Sequence, residues 1–307
     1  MLFSILIPTY NNEQTIARAI NSALNQNYAD EYEIIVVNNA STDSTLQKIQ
    51  SFSDSRVKVF SNDHTVHMYE NHNLCIQYAQ GDYVIFCHAD DELCSSSLTI
   101  LSEELKKRYY PSKCMMWGHS MIRDFSRYNN DFRINQMFSG EIAKRVFVQG
   151  GLTPSGTCFS REAMALIGGF PIVRDTYDID WIFETIAAFN GWEFEMIDRL
   201  LYRREYASTY TDDLAPEIRQ KQVKIAANSI YSHLNAKQQY ELKCMWWDGI
   251  AGNFDHIFAP TPPTRQERLD ALMQRYSKAP WKIWKLLKWV LIKWDIWKYE
   301  QNCTANS

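Results

Sequence analysis

Short runs of strand-forming residues recur through the first hundred positions, separated by stretches with helical spacing. Phe3 to Ile7 is closed by Pro8, YEIIVV fills 32–37, RVKVF alternates over 56–60 and DYVIFC fills 82–87. Between them, residues 13–25 put Ile16, Ala19, Ile20 and Ala23 on one stripe. Residues 43–52 turn Leu46, Ile49 and Phe52 inward, and 71–79 also reads as a helix. Parallel strands need crossovers, so this repetition builds a mainly parallel sheet with both faces covered by helices. Ligands on such sheets gather at the carboxyl ends of the strands. The polar clusters fall there: TYNNE after the first strand, NNASTD after the second and HADDE after the strand at 82–87.

The pattern loosens between 100 and 215. It holds a glycine-rich bend (Gly150, Gly151, Gly156), a short strand at 157–160, a second bend at Gly168–Gly169, a helix around 180–190 and the strand-like LLYRR. Past Pro216 strand signals nearly vanish, and helical runs are broken by the loop AGNFDHIFAPTPPT. The composition, 46% apolar and 22% charged, is globular. A net charge of −4 argues against a nucleic-acid binder that works by phosphate neutralisation. The seven cysteines form no CxxC pair and read as small apolar residues of a reduced, cytosolic chain. No run reaches the roughly 18–20 apolar residues of a membrane span, and the N-terminus reads as a buried strand rather than a signal peptide.

The cluster most suggestive of chemistry is HADDE. Asp90 and Asp91 follow a buried strand, and adjacent carboxylates there suit Mg²⁺ or Mn²⁺, which share their shell with substrate phosphates. A solvated loop or helix cap also accounts for such a pair.

The blocks FSILIPTYNNEQTIARAINSALNQ, YEIIVVNNASTDST and GDYVIFCHADDEL, followed in order by PSGTCFSREAMALIGGF, DIDWIFETIAAFNG and LLYRREYAST, resemble the family 2 inverting glycosyltransferases. The resemblance covers about residues 1–210. It implies an α/β fold of the GT-A type, a Rossmann-like mixed sheet with a nucleotide half (1–100) and an acceptor half (101–215), followed by a helical region (216–307). It also implies transfer of a sugar, with inversion, from a nucleotide diphosphate sugar. Pro8, Thr9, Tyr10, Asn11 and Glu13 would line the nucleoside pocket. Asn39 would accept the uracil ring N–H, which makes UDP the expected nucleotide. His72 and Asn73 fall where the family carries a basic residue and an Asn. Asp90 would hold a divalent cation, with Asp91 beside it, and Asp180 would be the base, with Asp178 the alternative two residues earlier. Ser155 and Thr157 fall near the donor sugar and acceptor. Trp181 either stacks on a sugar face or packs in the core.

This sequence departs from the family at several of these positions. The family's DDGSTD is Asn38-Asn39-Ala40-Ser41-Thr42-Asp43 here, and the first Asp of its DxD is His88. Where relatives carry a His after Tyr-Arg-x, this chain carries Glu205. Two readings follow: His88 and Glu205 are exchanged metal ligands, or neither touches metal. Arg203 or Arg204 is expected to reach the diphosphate.

At helical spacing, KAPWKIWKLLKWVLIKWDIWKYEQ gathers lysines on one arc and Trp and Leu on the other over about 278–300. Such a helix lies in a membrane interface or packs on the catalytic domain or a second subunit, as in a homo-oligomer. The interfacial reading suits a peripheral enzyme at the inner face of the cytoplasmic membrane with a lipid-linked surface-polysaccharide acceptor. The rival classes are a nucleotidyltransferase, whose glycine-rich phosphate loop PTYNNE lacks, and a catalytically impaired nucleotide- or glycan-binding relative.

Overall fold

The computed structural model describes residues 2–120, 135–148, 155–203 and 215–247. Gly150 and Gly151, Arg204, Glu205, the 251–264 loop and the helix expected over 278–300 lie outside them. The chain divides into two compact units, Met1–Ile230 and Tyr231–Ser307.

The first unit opens with β1 (Phe3–Thr9), α1 (Ile16–Leu24), β2 (Tyr32–Asn38), α2 (Thr45–Gln50), β3 (Val57–Ser61), α3 (Met68–Tyr78) and β4 (Tyr83–Phe86). It continues with β5 (Glu92–Leu93), α4 (Ser97–Lys107), β6 (Cys114–Ser120), α5 (Gly140–Phe147), β7 (Cys158–Ser160), α6 (Arg161–Leu166), α7 (Ile179–Phe189) and β8 (Glu193–Arg203). α8 (Pro216–His233) follows, and α9 (Ala236–Trp247) belongs to the second unit, where Gln239 Nε2 donates to the Tyr231 carbonyl.

One eight-stranded sheet runs β3-β2-β1-β4-β7-β6-β8-β5. The first four strands, β1 to β4, are parallel, as the alternation implies. β7 then runs antiparallel to both β4 and β6, β8 runs parallel to β6, and β5 closes the edge antiparallel to β8. The sheet is therefore mixed, and β6 and the two-residue β5 are strands with no clear signal in the sequence. Every residue of β1 and β2 is buried, which is why both read as continuous apolar runs rather than alternating ones. α1 lays Ile16, Ala19, Ile20 and Ala23, the stripe read from sequence, against this core. In the acceptor half the core is aromatic: Phe170 packs on Phe86, Phe159 and Phe183, and Phe183 meets Trp192 edge-on.

Polar residues pin the amino-terminal edge of the sheet. The buried Glu33 carboxylate accepts from Ser4 Oγ, Lys58 Nζ and the Gln80 N–H, each at 2.6 Å. Three strands and the turn into β4 thus meet at one side chain. Ser4 Oγ in turn accepts from the Gly81 N–H at 2.8 Å, and a Cβ on Gly81 would stand 2.7 Å from Ser4 N, so only glycine fits that crossing.

Burial would raise the Glu33 carboxyl, but its bonds to Lys58, Ser4 and Gln80 outweigh that and hold it below the ordinary glutamate range. A depressed folded value contributes stability that is complete above the unfolded carboxyl's value, about 4.3, and lost as pH falls through the folded one. Glu33→Ala is therefore expected to cost about 3 kcal/mol at neutral pH. Urea unfolding of variant and wild type should show that difference shrinking below about pH 4.

Candidate functional site

The loops after β1 and β2 form a shelf braced across its middle. Asn11 Oδ1 accepts from the Thr42 N–H at 2.8 Å, and the Asn11 N–H donates to Ser41 Oγ at 3.0 Å. Glu13 accepts from the Ser44 N–H at 3.0 Å, while its own N–H donates to Asp43 at 3.1 Å. Asn11 and Ala40 both take left-handed φ values of 53° so that the loops can face each other. Pro8 and Thr9 are buried in β1, whereas Tyr10 is 46% exposed at the tip. Of the residues expected to line a nucleoside pocket, Tyr10 exposes its ring, while Asn11 and Glu13 brace the two loops together.

Asn39, the expected uracil contact, is hydrogen-bonded within the protein at both ends of its amide. Its Oδ1 already accepts from Asn62 Nδ2 and the Val66 N–H, both at 2.9 Å, and its Nδ2 donates to the Val66 carbonyl. With two donors on one carbonyl oxygen and the residue buried, the amide holds the 62–66 loop. The same network runs on from Asn62 to Asn71, which donates to the Val37 carbonyl, and Asn38 bonds Ser61 beside it. Amides suit this role because each end serves as donor or acceptor, whereas a carboxylate there would leave the Val66 carbonyl without its donor.

His72 and Asn73 also work inside the protein. His72 is buried against Phe86 and hydrogen-bonds the Met68 carbonyl through Nδ1 at 2.8 Å. Burial, helped by the charge of nearby His88, pulls its pKa down to about 3, so the ring is neutral and offers no cation to a phosphate. Asn73 clamps the backbone of Phe170 with two bonds of 2.8 Å, one from its Nδ2 to the carbonyl and one from the Phe170 N–H to its Oδ1. Gly169, at φ 74°, passes so close to Asn73 that a Cβ would stand 2.4 Å from Oδ1.

On the loop after β4, Asp90 is partly exposed and its carboxylate makes no hydrogen bond or ion pair among the described residues. Arg18 holds the loop by donating to the Asp90 carbonyl at 3.2 Å while its Nε meets Glu92 at 3.0 Å. Asp91 is buried, its carboxylate 3.9 Å from His88 Nδ1. Among the described residues no three His, Cys, Asp or Glu side chains converge as a metal cage. A single available carboxylate does fit Mg²⁺ or Mn²⁺ bound mostly by diphosphate oxygens and water.

In the acceptor half, Ser155 is buried and bonded to His88, and Thr157 is buried. Trp181 is a core residue: it is 4% exposed and its Nε1 donates to the Phe147 carbonyl at 2.7 Å. At the head of α7, Asp178 is buried and accepts from Arg219 and from Thr176 Oγ1, whereas Asp180 is partly exposed. Arg203 lies exposed on β8, with its side chain beside Cys94.

Sequence reasoning missed Tyr69, which joins the two halves. Its ring lies 5.1 Å from His72 and 5.3 Å from Phe170, and its phenol hydrogen-bonds the Asp180 backbone. Burial and the carboxylates of Asp180, Glu184 and Asp178 push that phenol well above its ordinary value. His72 in turn lies 5.7 Å from His88. A continuous path of contacts therefore leads from the head of α7 to the Asp90 loop. No local pattern announces it, because Tyr69 reads as one more helix residue.

This sheet, with its polar loops at the carboxyl ends of parallel strands, is a GT-A fold. TarS 1–349 of Staphylococcus aureus, solved with UDP-GlcNAc, superimposes with a TM-score of 0.63 at 17% identity over 91% of this chain and 82% of that one. The mannosyltransferase PcManGT of Pyrobaculum calidifontis, solved with GDP-Man and Mn²⁺, gives 0.61 at 16% identity over 99% and 86%. The Glycosyl transferase family 2 model matches residues 4–167, and the chain belongs to that family. UDP-Glc:alpha-D-GlcNAc-diphosphoundecaprenol beta-1,3-glucosyltransferase WfgD of Escherichia coli is 39% identical over 90 residues, 29% of this chain and 35% of the relative. GalNAc(5)-diNAcBac-PP-undecaprenol beta-1,3-glucosyltransferase of Campylobacter jejuni is 30% identical over 161 residues, 51% and 50%. The chain thus spans from about a third to a half of the length of these curated relatives.

The left-handed Ala40 gives a direct test of the shelf. A Cβ in this region costs about 1–2 kcal/mol, partly offset by the greater unfolded freedom of glycine. Ala40→Gly is expected to stabilise the protein by about 1 kcal/mol in chemical denaturation. A destabilised variant would mean that the loop does not hold that conformation.

Proposed function

We propose that the protein transfers a sugar, with inversion, from a UDP-sugar to an undecaprenol-linked glycan. The observation that carries the reading is Asp90, a carboxylate without a protein partner among the described residues at the ligand end of a GT-A sheet. The donors and acceptors named for the relatives support the substrate classes, and the uridine assignment rests on those names now that Asn39 is otherwise occupied. Among the described residues no helix is long and apolar enough to cross a membrane. With a lipid-linked acceptor, the enzyme works at the membrane surface, and the Lys/Trp-rich sequence of 278–300 serves as its contact there.

The chemistry follows from the site's own residues. Tyr10 stacks on the base at the tip of the braced shelf. The acceptor hydroxyl gives its proton to a carboxylate of the Asp178/Asp180 pair as its oxygen bonds to the anomeric carbon. The bond from that carbon to the diphosphate breaks on the opposite face, and UDP leaves with the electron pair. Asp180 is the more exposed member of the pair, and Arg219 holds Asp178 in place. Asp90 would hold a divalent cation together with the diphosphate oxygens, and when bound that cation stabilises the negative charge of the departing nucleotide.

Three experiments test this. A screen of nucleotide sugars with purified protein, with Mn²⁺ and with chelator, is expected to find transfer from a UDP-sugar. Asp90→Ala should lose the part of UDP-sugar affinity that depends on metal, and unchanged affinity in excess Mn²⁺ would remove Asp90 from that role. The pair is tested by Asp180→Asn and Asp178→Asn. Loss of the base should lower kcat by roughly 10²- to 10⁴-fold with UDP affinity retained, because a base acts in the transition state. The other substitution should lower the melting temperature instead. Full kcat in both variants would exclude the pair.

A further inference from the structure

The first turn of α7 carries the Asp178/Asp180 pair, yet the residue placed to cap it does not do so. Asp178 is the N-cap and of a type that usually accepts from the second or third N–H of its helix, but its side chain makes no capping bond. Its carboxylate is held by Arg219 and Thr176 Oγ1 instead. The orphan amides of a first turn then need partners from elsewhere. The Trp181 N–H donates to Asp180 Oδ1 at 2.9 Å, and the Asp180 N–H donates to the phenol oxygen of Tyr69 on α3. A tyrosine of the nucleotide half therefore takes over part of the capping in the acceptor half.

Tyr69 is itself firmly placed. Its backbone N–H donates to Nδ1 of His67, the N-cap of α3, at 3.3 Å. Its ring lies 5.1 Å from His72 and 5.3 Å from Phe170, residues bonded in turn to the Met68 carbonyl and to Asn73. Burial and the nearby carboxylates keep the phenol uncharged, so its oxygen receives an amide without bringing negative charge beside Asp180. At the other end of the bond, Asp180 Oδ1 is tied to the next amide of the same turn, so the carboxylate follows the backbone. A base acts only within hydrogen-bond reach of the hydroxyl it deprotonates, and a displacement of about 1 Å can cost as much as 10²-fold in rate.

We propose that Tyr69 is a positioning residue for sugar transfer: its hydroxyl caps the first turn of α7 and sets where the Asp180 carboxylate stands relative to the nucleotide half. This role rests on the transfer reading above, with Asp180 as the proton acceptor, whereas the capping bond does not. The ring joins the two halves by packing, which phenylalanine would also do. The hydroxyl adds what phenylalanine lacks.

Tyr69→Phe separates the two contributions, because it keeps the ring on His72 and Phe170 and removes only the oxygen. Amide hydrogen exchange, followed by NMR on the full chain, tests the bond itself. The Asp180 amide should be protected in the wild type and exchange about tenfold faster in Tyr69→Phe, with the Phe170 amide, bonded to Asn73, unchanged. An unprotected Asp180 amide in the wild type, or equal protection in both proteins, would overturn the proposal, and the first of these does not need the variant to fold. Kinetics test the consequence, read as UDP release from the UDP-sugar that the nucleotide-sugar screen identifies. Tyr69→Phe should lower kcat about tenfold while KM for the UDP-sugar and calorimetric UDP affinity hold. Tyr69→Leu, which lacks the ring as well, should also melt at a lower temperature. Undiminished kcat in Tyr69→Phe would reduce Tyr69 to a packing residue, and a loss confined to KM would make it a donor contact; either result overturns the proposal. A wild type that turns over no UDP-sugar overturns the transfer reading and the positioning role together, whereas full kcat in Asp180→Asn overturns the role alone. In both cases hydrogen exchange still decides whether Tyr69 caps the helix.

Discussion

Everything in the ligand-binding half depends on β1 being buried on both faces between two parallel neighbours, β2 and β4. A strand so placed has no solvent side, so it carries apolar residues throughout and reserves its polar ones for its ends. The amino-terminal end is closed by the Ser4–Glu33–Gly81 bonds, where strands and turn are fastened by groups that satisfy one another. The carboxyl end is open, and the loops after β1, β2 and β4 collect there. Burial in the middle and fastening at one end leave one edge on which a ligand can be met.

That edge is stiffened by amides, two of them at positions where the family resemblance implies carboxylates. Asn38, Asn39, Asn62 and Asn71 link the end of β2 to the loop before α3 and to the strand backbone. Each amide can donate and accept at once, so a few of them satisfy several buried backbone groups without adding negative charge to that edge. The cost is that they are spent on the protein, and Tyr10 is left with an exposed ring at the tip of the shelf. The same economy shapes the α3 region, where His72 is kept neutral and Asn73 is committed to Phe170. The acceptor half is joined to the nucleotide half by the Phe170 cluster and by Tyr69, so the Asp178/Asp180 helix head and the Asp90 loop are parts of one packed body.

The order of elements could be read from the sequence because burial periodicity is a local property. Phe3 to Ile7, 32–37, 56–60 and 82–87 appear as strands, and the stripe Ile16, Ala19, Ile20, Ala23 faces the core. β6 was not legible: CMMWGHS mixes Met, Trp, Gly and His without clear alternation, and its place depends on β7 and β8 on either side. The mixed character of the sheet was likewise a matter of long-range pairing, since strand direction leaves no mark on a strand's own residues.

The sequence by itself determined the family, the α/β alternation and the loops in which chemistry would gather, because these follow from residue spacing along the chain. Only the tertiary structure decided which polar side chains in those loops are available to a ligand. Asn39, Asn73, Trp181 and Ser155 look like ligand contacts until Val66, Phe170, Phe147 and His88 take them, the Asn73 partner being 97 residues away. Asp90 is identical in kind to Asp91, yet the carboxylate of one has no described partner and the other is buried beside His88. A buried polar group must find a partner, and that partner is supplied by whatever the fold brings near, which residue type and spacing do not encode.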